Sequence, residues 1–199
     1  MYKHFLKRLF DIIGALIILP FVLIVIIILA PIIYFTDKGP IFYNATRSGI
    51  YCRQYKMFKL RSMYVNAPDL RNADGSTFNS DSDPRVTPIG RFMRKTSLDE
   101  FPQFFNVLLG DMSFVGPRPT LGHSTLKYED LEGDNKTRYT VKPGVTGYAQ
   151  AYYRNSISQE EKFRYDAEYA RNISLWLDIK ILFTTVYAVL AHKNINTEK

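Results

Sequence analysis

The sequence predicts an α+β chain in two parts. Residues 1–36 form an apolar helix that enters the membrane and is broken near Pro20. Residues 37–199 form a mainly helical, interface-associated domain with a short β-hairpin. Three observations predict this. Ile12 to Thr36 runs 25 positions without a charged residue. Tyr55 to Met63 alternates apolar and basic side chains, the period of a half-buried strand. Leu98, Phe101, Phe104, Phe105, Leu108 and Leu109 recur at helical spacing.

The uncharged run would reach roughly 37 Å as a helix, enough for a hydrocarbon core about 30 Å thick. It is too long for a signal peptide, and no small-x-small cleavage site follows it. Pro20 falls well inside it, where proline removes a backbone hydrogen bond and crowds the preceding turn; Pro31 repeats this near the far end. Both flanks are basic, with Lys3, Lys7 and Arg8 before the run and Lys38, Arg47, Arg53, Lys56, Lys59 and Arg61 after it. Positive charge marks the cytoplasmic side, so a re-entrant segment broken at Pro20 satisfies both flanks. A kinked single-pass anchor is the alternative.

Asp37-Lys38-Gly39-Pro40 is a turn that ends the segment. Pro40 to Tyr43 and Tyr55 to Met63 read as short strands joined through Ser48-Gly49. Asn66 to Pro88 reads as a long polar loop, and Ile89 to Lys95 as a short basic helix presenting Arg91, Arg94 and Lys95. Leu98 to Leu109 is the next helix, closed by Gly110. Lys142 to Gly147 is turn-rich, Gln159 to Arg171 a charged helix, and Ser174 to Ala191 an apolar helix, either core or pressed on a bilayer surface.

A formal charge of +7 and a pI of about 9.4 favour an anionic partner: nucleic acid, anionic lipid or a phosphorylated substrate. The single cysteine, Cys52, excludes an internal disulfide and an all-cysteine zinc site. His4, His123 and His192 are scattered without metal spacing, and no Walker or dinucleotide-binding glycine loop is present.

The stretch with most chemistry is Ser97-Leu98-Asp99-Glu100, followed by Gly116-Pro117-Arg118-Pro119. Ser97 and Glu100 fit a capping box, with Ser97 as N-cap. Pro102 cannot donate to Leu98 in that register, and Asp99 is the competing N-cap. Either way both acids fall in a first turn, where the helix dipole favours their ionised form. An ionised aspartate can act as a nucleophile toward phosphorus, and a neighbouring glutamate can hold Mg²⁺. Arg118, fixed between prolines, has a preset backbone from which a guanidinium can be aimed at phosphate, or it is a solvated loop residue. Lys59 and Arg61 are either phosphate ligands or an exposed strand face. Arg154 follows Tyr152-Tyr153 on a surface loop. Asp81-Ser82-Asp83 has the look of a metal-binding motif of conventional glycosyltransferases, though Asp83-Pro84 is more simply a turn.

These residues fall into longer strings. They include Tyr55-Lys56-Met57-Phe58-Lys59-Leu60-Arg61-Ser62-Met63, Arg94 through Gln103, Gly110-Asp111-Met112-Ser113-Phe114-Val115-Gly116-Pro117-Arg118-Pro119, and Pro143-Gly144-Val145-Thr146-Gly147. With Lys7-Arg8-x-x-Asp11 and Leu177-Asp178-Ile179-Lys180 they cover nearly the whole chain, which resembles the bacterial sugar transferases of the monotopic phosphoglycosyl transferase family. The resemblance implies a re-entrant helix and a catalytic domain on the cytoplasmic face of the bacterial inner membrane. It implies transfer of a sugar 1-phosphate from a UDP-sugar to a polyprenol phosphate such as undecaprenyl phosphate, releasing UMP. That reaction is the first membrane step of glycoconjugate and polysaccharide assembly. Asp99 corresponds to the covalent nucleophile and Glu100 to a Mg²⁺ ligand. Lys59, Arg94, Arg118 and Arg154 match basic positions serving phosphates. The short length is similar to members acting on acetamido-sugars such as diacetylbacillosamine. Membrane lipid is an expected partner and nucleic acid is not. The family often breaks its membrane helix at a Ser-Pro further along, whereas here Leu19 precedes Pro20. The competing functions are a UDP-releasing glycosyltransferase using Asp81 and Asp83, and a non-catalytic membrane-surface anion binder.

Overall fold

The computed structural model describes residues 2–70, 80, 82–122, 126–153 and 156–191. A π-helical turn, Tyr2–Leu6, leads into α1 (Lys7–Asp37), whose apolar composition makes it the one helix among the described residues long and apolar enough to cross a membrane. It runs through Pro20 and Pro31 without interruption, so the break expected at Pro20 is not a break in secondary structure. A proline lacks one donor, and hydrogen bonds on either side suffice to carry the helix past it. The helix ends at Lys38, which takes a left-handed conformation (φ 53°) and donates its N–H to the Tyr34 carbonyl.

Asp11, Ala15, Val22, Leu29 and Ile33 form one narrow buried stripe along α1. Ala15 packs with Met57, Val107 and Met112, and Leu29 and Ile33 pack with Leu60 and Met93. The remaining faces of α1 stay exposed; Ile17, Phe21, Ile27 and Phe35 are each more than half accessible.

Polar contacts tie both ends of α1 to the body of the protein. At the start, Arg8 donates to the Val107 and Leu108 carbonyls (2.5 and 2.8 Å), and Asp11 accepts from the Ser113 hydroxyl and the Phe114 N–H. At the end, Asp37 pairs with Arg61 at 2.5 Å and accepts the Val65 N–H.

β1 (Ala45–Ser48) pairs antiparallel with β2 (Gln54–Met57), with Arg47 opposite Tyr55. The hairpin therefore sits closer to its turn than the sequence predicts. Phe42 and Leu60 form only an isolated bridge, and Met63 bridges to Val86. The ladder stops at Met57 because the Phe58 N–H is taken by the side chain of buried Asn106 (2.8 Å), which also donates to the Lys56 carbonyl. Beyond that point the segment leans on two different partners. The Lys59 carbonyl accepts from Tyr43, and the Leu60 N–H donates to the Asp99 carbonyl.

α2 (Pro88–Thr96) is capped by Thr87, whose hydroxyl accepts the Gly90 N–H. The predicted single helix from Leu98 to Leu109 is split. Leu98–Glu100 is a 3-10 turn, and α3 (Gln103–Leu109) begins after Pro102. The missing donor of Pro102 sets that boundary. Gly110 closes α3 with φ 93°.

β3 (Ser113–Val115) and β5 (Gly144–Thr146) form a parallel pair, so the stretch predicted as turn contains a strand. Gly144, in β5, and Gly116, just after β3, are sterically required. A Cβ on Gly116 would stand 2.3 Å from the Lys142 carbonyl oxygen, and one on Gly144 would stand 2.1 Å from the Gly116 nitrogen. The short β4 (Thr120–Leu121) completes a three-stranded sheet in the order β2-β1-β4.

The rest is helical: α4 (Gly133–Thr137), α5 (Tyr148–Tyr152), α6 (Gln159–Arg171) and α7 (Leu175–Leu190). The capping box lies on α6, where Ser158 and Glu161 exchange side-chain and backbone hydrogen bonds. Buried Asp178 of α7 accepts from Tyr2 (2.5 Å), Lys7 (2.6 Å) and Tyr169 (2.7 Å). Asp178→Ala would strand Lys7 and the Tyr2 hydroxyl, while the Tyr169 hydroxyl keeps the Val115 carbonyl. A loss of about 3–5 kcal/mol is expected, read by denaturant unfolding of the detergent-solubilised protein, with Asp178→Asn losing less.

Candidate active site

Asp99 and Glu100 lie on the 3-10 turn between α2 and α3. Ser97 is left-handed (φ 59°) and makes no side-chain cap, and Glu100 turns to Lys59, so the expected Ser97–Glu100 capping box is absent. The left-handed residue reverses the chain after α2 and carries Asp99 inward, where it is 2% exposed.

Lys59 reaches both acids. Its Nζ lies 2.8 Å from Asp99 Oδ2 and 3.2 Å from Glu100 Oε1. The Asp99 contact is an ion pair rather than a well-angled hydrogen bond, so Lys59 is the one group set against buried Oδ2. Glu100 does accept a hydrogen bond from Lys59. Lys59 is therefore not an exposed strand face, and neither is Arg61, which is buried against Asp37 and the Ile33 carbonyl.

Burial alone would raise the Glu100 carboxyl. Lys59, then Arg118 and Arg47, overcome that and hold it down to about 2, so Glu100 is ionised at neutral pH. Burial also acts against the charged form of Lys59, but Glu100 and Asp99 together raise its pKa above the ordinary lysine value.

Arg118 extends from its two prolines with Nη2 3.8 Å from Glu100 Oε1 and a side chain 60% exposed. Its backbone is clamped from below. In the buried pair Arg138–Asp166 (2.8 Å), Arg138 also donates to the Arg118 carbonyl (2.7 Å). Arg138 is also enclosed by the Tyr139 and Phe163 rings. Arg94 of α2 donates to the Ser62 hydroxyl at 3.0 Å and lies within electrostatic reach of Asp99 and Glu100. Four of the predicted residues thus converge with Arg118 on one face: Lys59, Arg94, Asp99 and Glu100. Arg154 lies outside the described residues, as does Asp81. Asp83 is fully buried with both oxygens bonded to Arg85, so it is the turn residue of the simpler reading and has no oxygen to offer a metal.

Sequence reasoning missed Asn106, Arg138 and Asp166. Asn106 fixes the segment that delivers Lys59, and the ion pair fixes the backbone of Arg118. The only available signal was polar residues at positions where a helix or its flank should be apolar.

No group of three or more His, Cys, Asp or Glu side chains gathers among the described residues. Mg²⁺ needs few protein ligands, since it commonly takes one or two carboxylates and fills the rest with water and phosphate oxygens. An ionised Glu100 beside the Asp99 carboxylate fits that demand.

The fold and site define a membrane-associated protein with an acid pair set among cations. Residues 2–192 match the bacterial sugar transferase family, and the chain belongs to it. It is 42% identical to a UDP-galactose-lipid carrier transferase of Erwinia amylovora, over 94% of this chain and 41% of that protein. It is 40% identical to a UDP-glucose:undecaprenyl-phosphate glucose-1-phosphate transferase of Escherichia coli K12, over 96% of this chain and 41% of that one. It is also 38% identical to the uncharacterized sugar transferase EpsL of Bacillus subtilis, over 96% of this chain and 90% of EpsL. The chain spans about two fifths of the length of the first two relatives.

Proposed function

We propose that this chain transfers a sugar 1-phosphate from a UDP-sugar to a polyprenol phosphate, undecaprenyl phosphate in the bacterial membrane, through a phospho-sugar adduct on Asp99. The observation that carries the reading is the buried Asp99 carboxylate, paired at 2.8 Å with Lys59 and adjoining the ionised Glu100. In the first step an Asp99 oxygen attacks the β-phosphorus. The bond from that phosphorus to the bridging oxygen breaks, and UMP leaves with the bridging oxygen. In the second step an oxygen of the lipid phosphate attacks the same phosphorus, and the Asp99 carboxylate is released. Neither step needs a proton, which suits a site built of carboxylates and fixed cations.

Lys59, Arg94 and Arg118, and Arg154 beyond the described residues, would bind the phosphates and neutralise the charge that moves to UMP. Glu100, with Asp99, would hold Mg²⁺, which when bound supplies further neutralisation of phosphate charge. An acetamido-sugar is the proposed donor.

We further read α1 as a re-entrant segment in the cytoplasmic membrane, with residues 37–199 forming the catalytic domain on the cytoplasmic face. The tethering of both helix ends to one body supports this, because a spanning helix would carry one end away. Pro20, with its missing donor, is the position where α1 bends most easily. The exposed apolar face of α7, with Trp176, Phe183, Val186 and Tyr187 each more than half accessible, supports contact with the membrane interface.

The test is incubation of the purified chain with Mg²⁺, undecaprenyl phosphate and a panel of UDP-glucose, UDP-galactose and UDP-acetamido-sugars. UMP is the expected nucleotide product. Release of UDP would point instead to a conventional glycosyltransferase, and no release to a non-catalytic binder.

A further inference from the structure

We infer that Arg47, a residue of the central strand β1, is an additional phosphate ligand of this site, acting beside Arg118 and together with the Tyr55 hydroxyl. This rests on the transferase reading above. The sheet register places Arg47 opposite Tyr55 of β2 and Leu121 of β4. Directly opposed residues share a face with Cβ atoms about 5 Å apart, so the guanidinium and the phenol are neighbours.

Both groups carry a polar atom that the protein leaves unsatisfied. The Arg47 side chain is half-buried, and its buried Nε has no hydrogen-bond partner among the described residues. The Tyr55 hydroxyl is likewise buried and unbonded. The other arginines in or under the site each have a protein partner: Arg61 has Asp37, Arg85 has Asp83, Arg138 has Asp166, Arg94 has the Ser62 hydroxyl and Arg118 has Glu100.

The charges around Arg47 are those of the site itself. Burial pushes its pKa down, Arg118 adds repulsion, and Tyr43, Tyr55 and Glu100 oppose them. A half-buried guanidinium with an unsatisfied Nε and a like charge acting on it is unfavourable in the ligand-free protein. An anion arriving between Arg47 and Arg118 reverses that balance. Its acceptor oxygens must meet a guanidinium fork and a phenolic O–H at once, which a phosphate does and a neutral sugar does not. Two substrates carry such a group, the sugar nucleotide and the lipid phosphate.

The test is Arg47→Met, with Tyr55→Phe as a variant that keeps the ring and its packing. Thermal unfolding midpoints are recorded without ligand and with pyrophosphate or UDP-glucose. KM is then measured separately for the UDP-sugar and for undecaprenyl phosphate. Arg47→Met is expected to unfold no lower than wild type, because a charge with an unsatisfied Nε has been removed. It is also expected to lose the ligand-induced rise in midpoint and to raise at least one KM about tenfold or more. The KM that moves identifies which substrate's phosphate is bound.

A structural role predicts the opposite pair: a lowered midpoint with both KM values unchanged. That pair, or an undiminished pyrophosphate and UDP-glucose shift, would overturn the assignment. If the wild type releases no UMP, the transferase reading fails, while the midpoint shifts still decide whether Arg47 binds phosphate.

Discussion

Asp99→Asn is expected to abolish UMP release, by at least about 10⁴-fold, while the protein remains folded. Removing a nucleophile removes the reaction path it opens, and losses of this order accompany such changes. Asparagine has nearly the same shape, so the packing of this 2%-exposed side chain survives. Lys59 loses one carboxylate but keeps its hydrogen bond to Glu100, which limits the cost to stability. The expected signature is an inactive variant with a near-normal unfolding transition. Retained UMP release would remove Asp99 from the chemistry.

Lys59→Met is expected to lower kcat by roughly 10²–10³-fold, the range for loss of a preorganised charge-stabilising donor. It would also change the pH dependence. Burial alone drives Glu100 upward, and Lys59 is the largest influence opposing it. In wild type the carboxyl is held at about 2, below its ordinary 4.5, so it contributes stability that is present above pH 4.5 and is lost as pH falls toward 2. Without Lys59 the carboxyl binds its proton at higher pH. The acidic limb of the rate profile should therefore move upward in Lys59→Met. A profile with an unmoved acidic limb would show that Lys59 does not set the charge of Glu100.

Much of the architecture was legible in the sequence because it is written in local patterns. The charge-free run gave α1, the apolar spacing gave the body of α3, the apolar run gave α7, and Gly110 marked the end of α3, whereas its start after Pro102 was not foreseen. Elements set by distant partners were less legible. Gly144 to Thr146 reads as a turn locally and becomes a strand because Gly116 lets another backbone approach. Ser97-x-x-Glu100 has the form of a cap, but Lys59, 41 residues before Glu100, takes the glutamate. Pro20 interrupts a hydrogen bond without ending the helix, because the remaining bonds carry it.

The same division runs through the site. The acid pair and Arg118 stand out in sequence because their neighbours are unusual. Asn106, Arg138 and Asp166 do not, since their work depends on where the backbones of Phe58 and Arg118 lie in three dimensions. Arg47 is harder still to see, because what distinguishes it is a buried Nε left without a hydrogen-bond partner.

The most direct test of the two-step transfer is a single-turnover reaction without lipid acceptor. Purified protein is mixed with Mg²⁺ and its UDP-sugar, quenched, and examined by intact-protein and peptide mass spectrometry. The predicted result is UMP released in at most one equivalent, with a sugar-phosphate mass added to the peptide containing Asp99 and discharged on adding undecaprenyl phosphate. UMP that forms only when the lipid phosphate is present, with no mass added to the protein, would contradict the covalent route.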